Sequence, residues 1–292
     1  MSEKFRGRLL GINGQMFSGK STAAQILIDD GWQIVKFAGP LKKITGDIMI
    51  CAGQHTSAEI LSATEGALKN EWLPSLGMTP RKLMQQIGSA YRTVVGDMAL
   101  WCNIGLNDAN KRRAAGIDVA IDDTRFPDPE IRSIHAADGI VWGIRRHGAA
   151  APPVSEEDKA VAEAGLSRQM TEEYAENMHN AFHSAFYATM RDLWPASHPV
   201  SFEDALEKFS TVFVDEHIIP LMTPEPVKVD LMNHVSEVLP PDDVLDVLIQ
   251  NDGTLAEYQG KIRSALQDLN ERQPRPPISR PAPATPSSGY GI

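Results

Sequence analysis

The segment Gly14-Gln15-Met16-Phe17-Ser18-Gly19-Lys20-Ser21-Thr22 matches the phosphate-binding pattern G-x-x-x-x-G-K-[ST]. Each residue type in it has a chemical use. Glycines let the backbone wrap around phosphates with N–H groups pointing inward, and the N-terminus of the following helix adds positive potential. Lys20 neutralises charge on a transferring phosphoryl group, and Ser21 is placed to ligate Mg²⁺. Gly14, Ser18, Gly19, Lys20, Ser21 and Thr22 are therefore the expected set for ATP and Mg²⁺. A dinucleotide site is excluded, because Gly11, Gly14 and Gly19 do not follow G-x-G-x-x-G spacing.

This loop serves GTPases, motor ATPases and small-molecule kinases alike, so other residues must choose among them. The Asn-Lys-x-Asp guanine motif is absent. Thr211 to Glu216 has the look of an apolar strand ending in Asp-Glu, but Phe202 through Phe213 keeps a helical period, which argues for a helix. The run Ile117 to Ile121 reads as a strand ending in Asp122-Asp123-Thr124-Arg125, and Asp123 is the expected metal-side carboxylate. Phosphoryl transfer also needs several cations, and arginine supplies a planar fork that lysine cannot. Arg81 follows a helix cap and Arg125 follows a strand end, which suits both to phosphates. His179 and His183 are spaced i, i+4 with no evident third ligand, so they read as a helix face. Cys51 and Cys102 read as buried free thiols in a reducing compartment.

Positioning these residues requires alternating strands and helices. Leu9, Leu10 and Ile12 form a strand entering the loop, and a helix then runs to Gly31. Trp32–Phe37 reads as a second strand and Pro40–Ile50 as a helix. Thr79-Pro80 is a strong helix start, a long helix spans about Asp97 to Arg113, Pro129–Ala137 is a short helix, and Ile140–Ile144 is a strand. Arg145 and Arg146 after it read as solvated surface arginines, with membership of a closing lid as the alternative. Val244–Ile249 is the last strand, Asn251-Asp252-Gly253 a turn, and Thr254–Leu269 the last helix. The alternation implies an α/β fold, a P-loop NTPase-type parallel sheet flanked by helices, with functional loops after the strand ends.

A composition break at His147–Val154 divides the chain of 292 residues into a first part of the core (1–150), a helical insertion (151–226), a closing strand and helix (227–270) and a disordered Pro-rich tail (271–292). Met178, Phe182, Ala185, Phe186, Met190 and Leu193 form one apolar helical face of the insertion. Phe202, Ala205, Leu206, Phe209, Val212 and Phe213 form another. Both faces must be covered, by each other, by closure as a lid, or by a second copy in a homodimer. The net charge is −10, and half of it lies in Ser155–Glu176, so a broad DNA-coating surface is not expected. No membrane span or signal segment is visible, which makes the expected location cytoplasmic.

Five ordered segments resemble the bacteriophage deoxynucleoside monophosphate kinases. They are Gly14–Thr22; Phe37-Ala38-Gly39-Pro40-Leu41-Lys42; Thr79-Pro80-Arg81 through Gly88; Asp123-Thr124-Arg125-Phe126-Pro127; and Asn251-Asp252-Gly253-Thr254-Leu255. Gly39 stands where that family usually has Asp, and the insertion has no counterpart. The resemblance implies Mg²⁺-dependent transfer of the ATP γ-phosphate to a deoxynucleoside 5′-monophosphate, in the host cytoplasm if the chain is phage-encoded. It implies that Arg81, Arg92 and Arg125 hold the acceptor phosphate or transition-state charge, that Lys42 meets a phosphate, and that Gln85 and Trp101 touch the base. Lys20, Arg81, Asp123 and Arg125 form the expected catalytic set. A kinase of 5-hydroxymethylpyrimidine in DNA is a related phage activity, and a nucleotide-binding scaffold without turnover is a further alternative. Dephospho-coenzyme A kinases carry a similar loop, but the Thr79–Gly88 segment is not expected of them.

Overall fold

A computed structural model describes residues 6–52, 55–73, 75–76, 78–147, 172–194, 198–213 and 239–272. Its centre is a sheet of five parallel strands: β1 (Leu9–Gly14), β2 (Gln33–Val35), β3 (Val119–Thr124), β4 (Ile140–Arg145) and β5 (Val247–Gln250), in the order β2-β3-β1-β4-β5. Both faces are covered, so the strands alternate between two apolar layers. Leu10, Ile12, Ala120 and Trp142 pack against α1 (Lys20–Asp29) and the last helix, while Leu9, Val119, Ile121 and Val141 face the other side.

The helices α2 (Gly39–Ala52), α3 (Ser57–Glu65), α4 (Pro80–Val95) and α5 (Leu100–Ala114) follow β2, and α6 (Arg132–Ala136) precedes β4. Thr79 caps α4 as its side chain suggests, with Oγ1 accepting the Lys82 N–H at 3.1 Å. The insertion contributes α7 (Glu172–Met190) and α8 (Phe202–Phe213), and the chain returns through β5 to α9 (Leu255–Arg272). Among the described residues no helix is long and apolar enough to cross a membrane.

Several boundaries differ from the sequence expectation. The second strand stops at Val35, because Phe37 and Ala38 turn to give their N–H groups to Asp123. Residues Pro127–Ile131 make a tight turn, and only Arg132–Ala136 is regular helix. α3 was not expected at all, although Thr56 and Glu59 form a reciprocal capping box that is visible as T-x-x-E. Cys51 is exposed rather than buried, and Cys102 is buried. The acidic stretch through residue 171 and the Pro-rich tail beyond residue 272 lie outside the described residues.

The helices of the insertion are built into the molecule. Phe182, Phe186 and Met190 of α7 and Phe202, Leu206 and Phe209 of α8 are buried in one cluster with Ile44 and Ile48 of α2, Leu83 and Ile87 of α4, and Trp101 of α5. The Phe182, Phe186 and Phe209 rings lie 4.9–5.8 Å apart between centroids. These faces are therefore covered within the chain, and they do not call for a second copy. Leu193 is the exception, exposed at the end of its expected face. Side chains at 172–178 and 210–213, which include Met178, Val212 and Phe213, lie outside the described residues.

Candidate active site

The phosphate loop joins β1 to α1 at the edge of the sheet where all five strands end, because every strand is parallel. Lys20 folds back over the loop and donates to the carbonyls of Gly14 and Gln15 at 2.6 and 2.7 Å. Gly19 has φ 109°, and a Cβ there would meet Asn251 Nδ2 at 2.6 Å, so glycine is required twice over. A Cβ on Gly14 would meet the Ile144 carbonyl at 2.7 Å.

The loop is braced from far along the chain. Asn251 Nδ2 donates to the Ser18 carbonyl at 2.8 Å, and the Tyr258 hydroxyl donates to the Gly19 carbonyl at 2.9 Å. The Asn251–Leu255 segment thus acquires a physical role: through Asn251, and with Tyr258 beyond it, the Ser18 and Gly19 carbonyls are occupied and that end of the loop is fixed. Ser18 Oγ is buried without a partner among the described residues, a polar atom that a bound phosphate would satisfy.

Beside this loop, on the β3 side, lies a pocket lined by Phe37, Ala38, Leu41, Lys42, Lys69, Arg81, Met84, Gln85, Gly88, Trp101, Asp123, Arg125, Phe126 and Glu130. Six residues selected from sequence as substrate or catalytic groups, Lys42, Arg81, Gln85, Trp101, Asp123 and Arg125, therefore converge on one cavity. The Thr124 and Arg125 carbonyls accept from Asn13 Nδ2 at 3.0 and 3.4 Å, which ties the pocket's edge to the strand feeding the phosphate loop. The lining combines the cations Lys42, Lys69, Arg81 and Arg125 with the apolar side chains of Phe37, Leu41, Met84, Trp101 and Phe126. Arg92 lies in α4, but its side chain is outside the described residues.

Lys69, from the 3₁₀ turn Ala67–Asn70, had no signal in the sequence. Burial, together with the charges of Lys42, Arg81 and Arg125, pushes its ammonium down to about 8, with Glu65 opposing. Arg81 Nε is oriented by Asn70 Oδ1 at 2.6 Å. Glu65 holds Lys42 through both carboxylate oxygens at 2.8 Å and Lys36 at 3.0 Å. Burial works against the Glu65 carboxylate, but the two lysines outweigh it and hold its pKa below the usual value. The cluster carries more positive than negative side chains at the pocket, which is the arrangement expected for an anionic ligand.

No protein-family model matches the chain, and no curated protein matches it. The site is therefore read from its own geometry.

Three expected roles change on that geometry. Asp123 is committed to the chain: its two carboxylate oxygens accept the Phe37 and Ala38 N–H groups at 2.8 and 2.9 Å, shaping the pocket rim. Asp122 lies where β3 shifts register against β1; its Oδ2 stands 3.6 Å from Lys36 Nζ, and its Oδ1 is buried without a partner among the described residues. Arg145 is not a lid residue, since it bonds Asn13 Oδ1 at 3.0 Å and Asp242 Oδ1 at 2.9 Å. Trp101 spends its indole N–H on the Gly88 carbonyl at 3.4 Å, which leaves only its ring to a ligand. His179 and His183 belong to no group of three metal-ligating side chains among the described residues.

Glu130 is a second residue without a sequence signal. Its Oε2 accepts the Arg125 and Phe126 N–H groups at 2.6 and 3.2 Å, which holds the Arg125 backbone at the pocket. Burial pushes its carboxyl up to about 7; Asp123 adds to the rise, while the two N–H donors and Arg125 oppose it. The folded state therefore holds the proton more tightly than the unfolded chain, and stability falls as pH rises from about 4.5 to 7. Glu130→Gln keeps an accepting oxygen and removes the titration. The variant's unfolding free energy should gain on wild type across that window, by up to about 3 kcal/mol above pH 7. Denaturant curves at pH 5, 6 and 7.5 measure it, and a constant difference would assign Glu130 an ordinary carboxylate pKa.

Proposed function

We propose that the protein transfers the γ-phosphate of ATP to a deoxynucleoside 5′-monophosphate. The observation that carries the reading is the pocket beside the phosphate loop, whose lining joins Lys42, Lys69, Arg81 and Arg125 to the aromatic side chains of Trp101, Phe37 and Phe126. A nucleoside monophosphate is an anion joined to a flat ring, and it complements a lining of both kinds. The deoxy preference comes from the resemblance of the five sequence segments, and the expected setting is the cytoplasm.

The attacking atom is an oxygen of the acceptor phosphate. Its bond to the γ-phosphorus forms as the bond from that phosphorus to the β,γ-bridging oxygen breaks, releasing ADP. The acceptor phosphate is largely dianionic near pH 7, so no side-chain nucleophile or base is required. Arg81, Arg125 and Lys69 hold the acceptor phosphate, and Lys20 and the loop N–H groups hold the donor phosphates. Mg²⁺ would be held on the donor side with Ser21 as its side-chain ligand, and when bound it would supply positive charge to the polyphosphate. Asp123 shapes the acceptor pocket in this scheme.

The test is turnover of ATP with Mg²⁺ against four deoxynucleoside monophosphates, their ribonucleotide counterparts, 5-hydroxymethylated duplex DNA, and no acceptor. One or more deoxynucleoside diphosphates should form in a one-to-one ratio with ADP. Faster labelling of the DNA would replace this reading with the DNA-base kinase, and binding of ATP without transfer would replace it with the scaffold.

A further inference from the structure

Phe17 is the third of the four variable residues in the phosphate loop, and it adopts φ 61°. That left-handed conformation is uncommon and costly for a bulky side chain, whereas glycine adopts it freely. The ring recovers little by packing within the chain, since Phe17 is 57% exposed. The turn itself thus does not call for phenylalanine.

The sheet order decides which ligand could use that ring. The acceptor pocket lies on the β3 side of β1, with Asp123 and Arg125 after β3 and Phe37 after β2. In-line transfer places the attacking and leaving oxygens on opposite sides of the phosphorus. The donor's nucleoside must then leave the phosphate loop on the other side, toward β4 and β5. Arg146, the first residue after β4, reaches the Phe17 carbonyl with Nη1 at 3.5 Å, which places Phe17 on that side. Its neighbour His147 is bound to Asp252 through the backbone N–H at 2.8 Å and the ring at 2.9 Å. Asp252 follows Asn251, which itself grips the loop at Ser18. The phosphate loop and the loops after β4 and β5 are thereby tied together, and the Phe17 ring and the Arg146 guanidinium stand at their shared rim.

We infer that Phe17 and Arg146 form a clamp for the base of the nucleoside triphosphate donor, gripping its ring by the face. This rests on the kinase reading above in assigning the donor to the phosphate loop. Both groups recognise a flat heteroaromatic ring: phenylalanine by stacking, and arginine by stacking and cation–π attraction. Face recognition is tolerant of base identity, because every base has a π face. The clamp therefore selects donors that carry a base over inorganic polyphosphates, and it accepts ATP and GTP alike.

The experiment is calorimetric binding of ATP, GTP and inorganic tripolyphosphate, each with Mg²⁺, to the full chain and to Phe17→Gly and Arg146→Ala. Phe17→Gly should weaken ATP and GTP by roughly tenfold to a hundredfold while leaving tripolyphosphate binding as it was. Its melting midpoint should not fall, because glycine suits the backbone there. Arg146→Ala should weaken the same two nucleotides and spare tripolyphosphate. Equal losses for all three ligands would show that Phe17 acts only through the loop backbone, and unchanged ATP binding would remove the clamp; either overturns the inference. Wild-type protein that binds ATP but phosphorylates no monophosphate would overturn the kinase reading alone, because the ratio of ATP to tripolyphosphate affinity still judges the clamp. Wild-type protein that binds neither ligand would overturn both.

Discussion

Replacing Lys20 by alanine is expected to lower kcat for phosphoryl transfer by two to three orders of magnitude, about 3–4 kcal/mol of transition-state stabilisation. The ammonium bridges the Gly14 and Gln15 carbonyls at 2.6 and 2.7 Å, so it is already held at the mouth of the loop. A polyanion arriving there offers stronger acceptors than two neutral carbonyls, and charge developing on the bridging oxygen strengthens that interaction further. The loss should fall mainly on kcat. The fold should survive, because Gly19, Asn251 and Tyr258 hold the loop independently of Lys20. Lys20→Arg should recover little, since a planar fork cannot occupy the compact position of an ammonium between two carbonyls. Steady-state turnover with a thermal melt of the same preparation tests this, and a kcat near wild type would dismiss the loop as the donor site.

The parts of this site that were legible in the sequence are those dictated by local geometry. The phosphate loop must join a strand to a helix, so β1 and α1 follow from Gly14–Ser21. Thr79-Pro80 and Thr254 announce helix starts by cap chemistry, and Arg81 and Arg125 stand out because each follows such a landmark. Lys69, Glu65 and Glu130 gave no such signal. Their importance comes from burial and from partners on other elements: Lys69 is perturbed by residues of α2, α4 and the β3 loop. The bracing of the loop by Asn251 and Tyr258 spans more than 230 residues, a contact that no local pattern encodes. The insertion illustrates the same division. Its apolar period was readable, but its partner, the α2–α4 side of the pocket, was visible only in three dimensions.

Those helices also bear on function. The cluster that buries Phe182, Phe186 and Phe209 continues through Leu83, Ile87 and Trp101. Leu41, Met84 and Gln85 belong to the same two helices, α2 and α4, and they line the cavity itself. The insertion therefore packs against the same two helices that line the pocket. Packing behind those helices would favour a single ligand orientation, which the in-line transfer proposed above demands.

Lys69→Met is expected to move stability and acceptor use in opposite directions. The ammonium is half-buried near Lys42, Arg81 and Arg125, and its pKa falls to about 8 against the usual 10.5. A lysine pKa that is lower in the folded state means that the charged form opposes folding. The penalty is fully present below about pH 8 and fades as pH rises toward 10.5. Methionine keeps the length of the side chain and removes the charge, so the variant should be more stable at pH 7 by about 1–3 kcal/mol, with the advantage shrinking above pH 8. The same charge is what an acceptor phosphate would meet, and its loss should raise acceptor KM or lower kcat by about 1.5–3 kcal/mol in kcat/KM, the scale of a charge-assisted contact. ATP affinity should be unchanged. A deoxynucleoside monophosphate should raise the melting midpoint of wild type more than that of the variant, because only wild type offers the full set of cations. A destabilised variant with normal acceptor kinetics would instead make Lys69 a structural residue of the 3₁₀ turn, and the acceptor phosphate would have to be placed elsewhere.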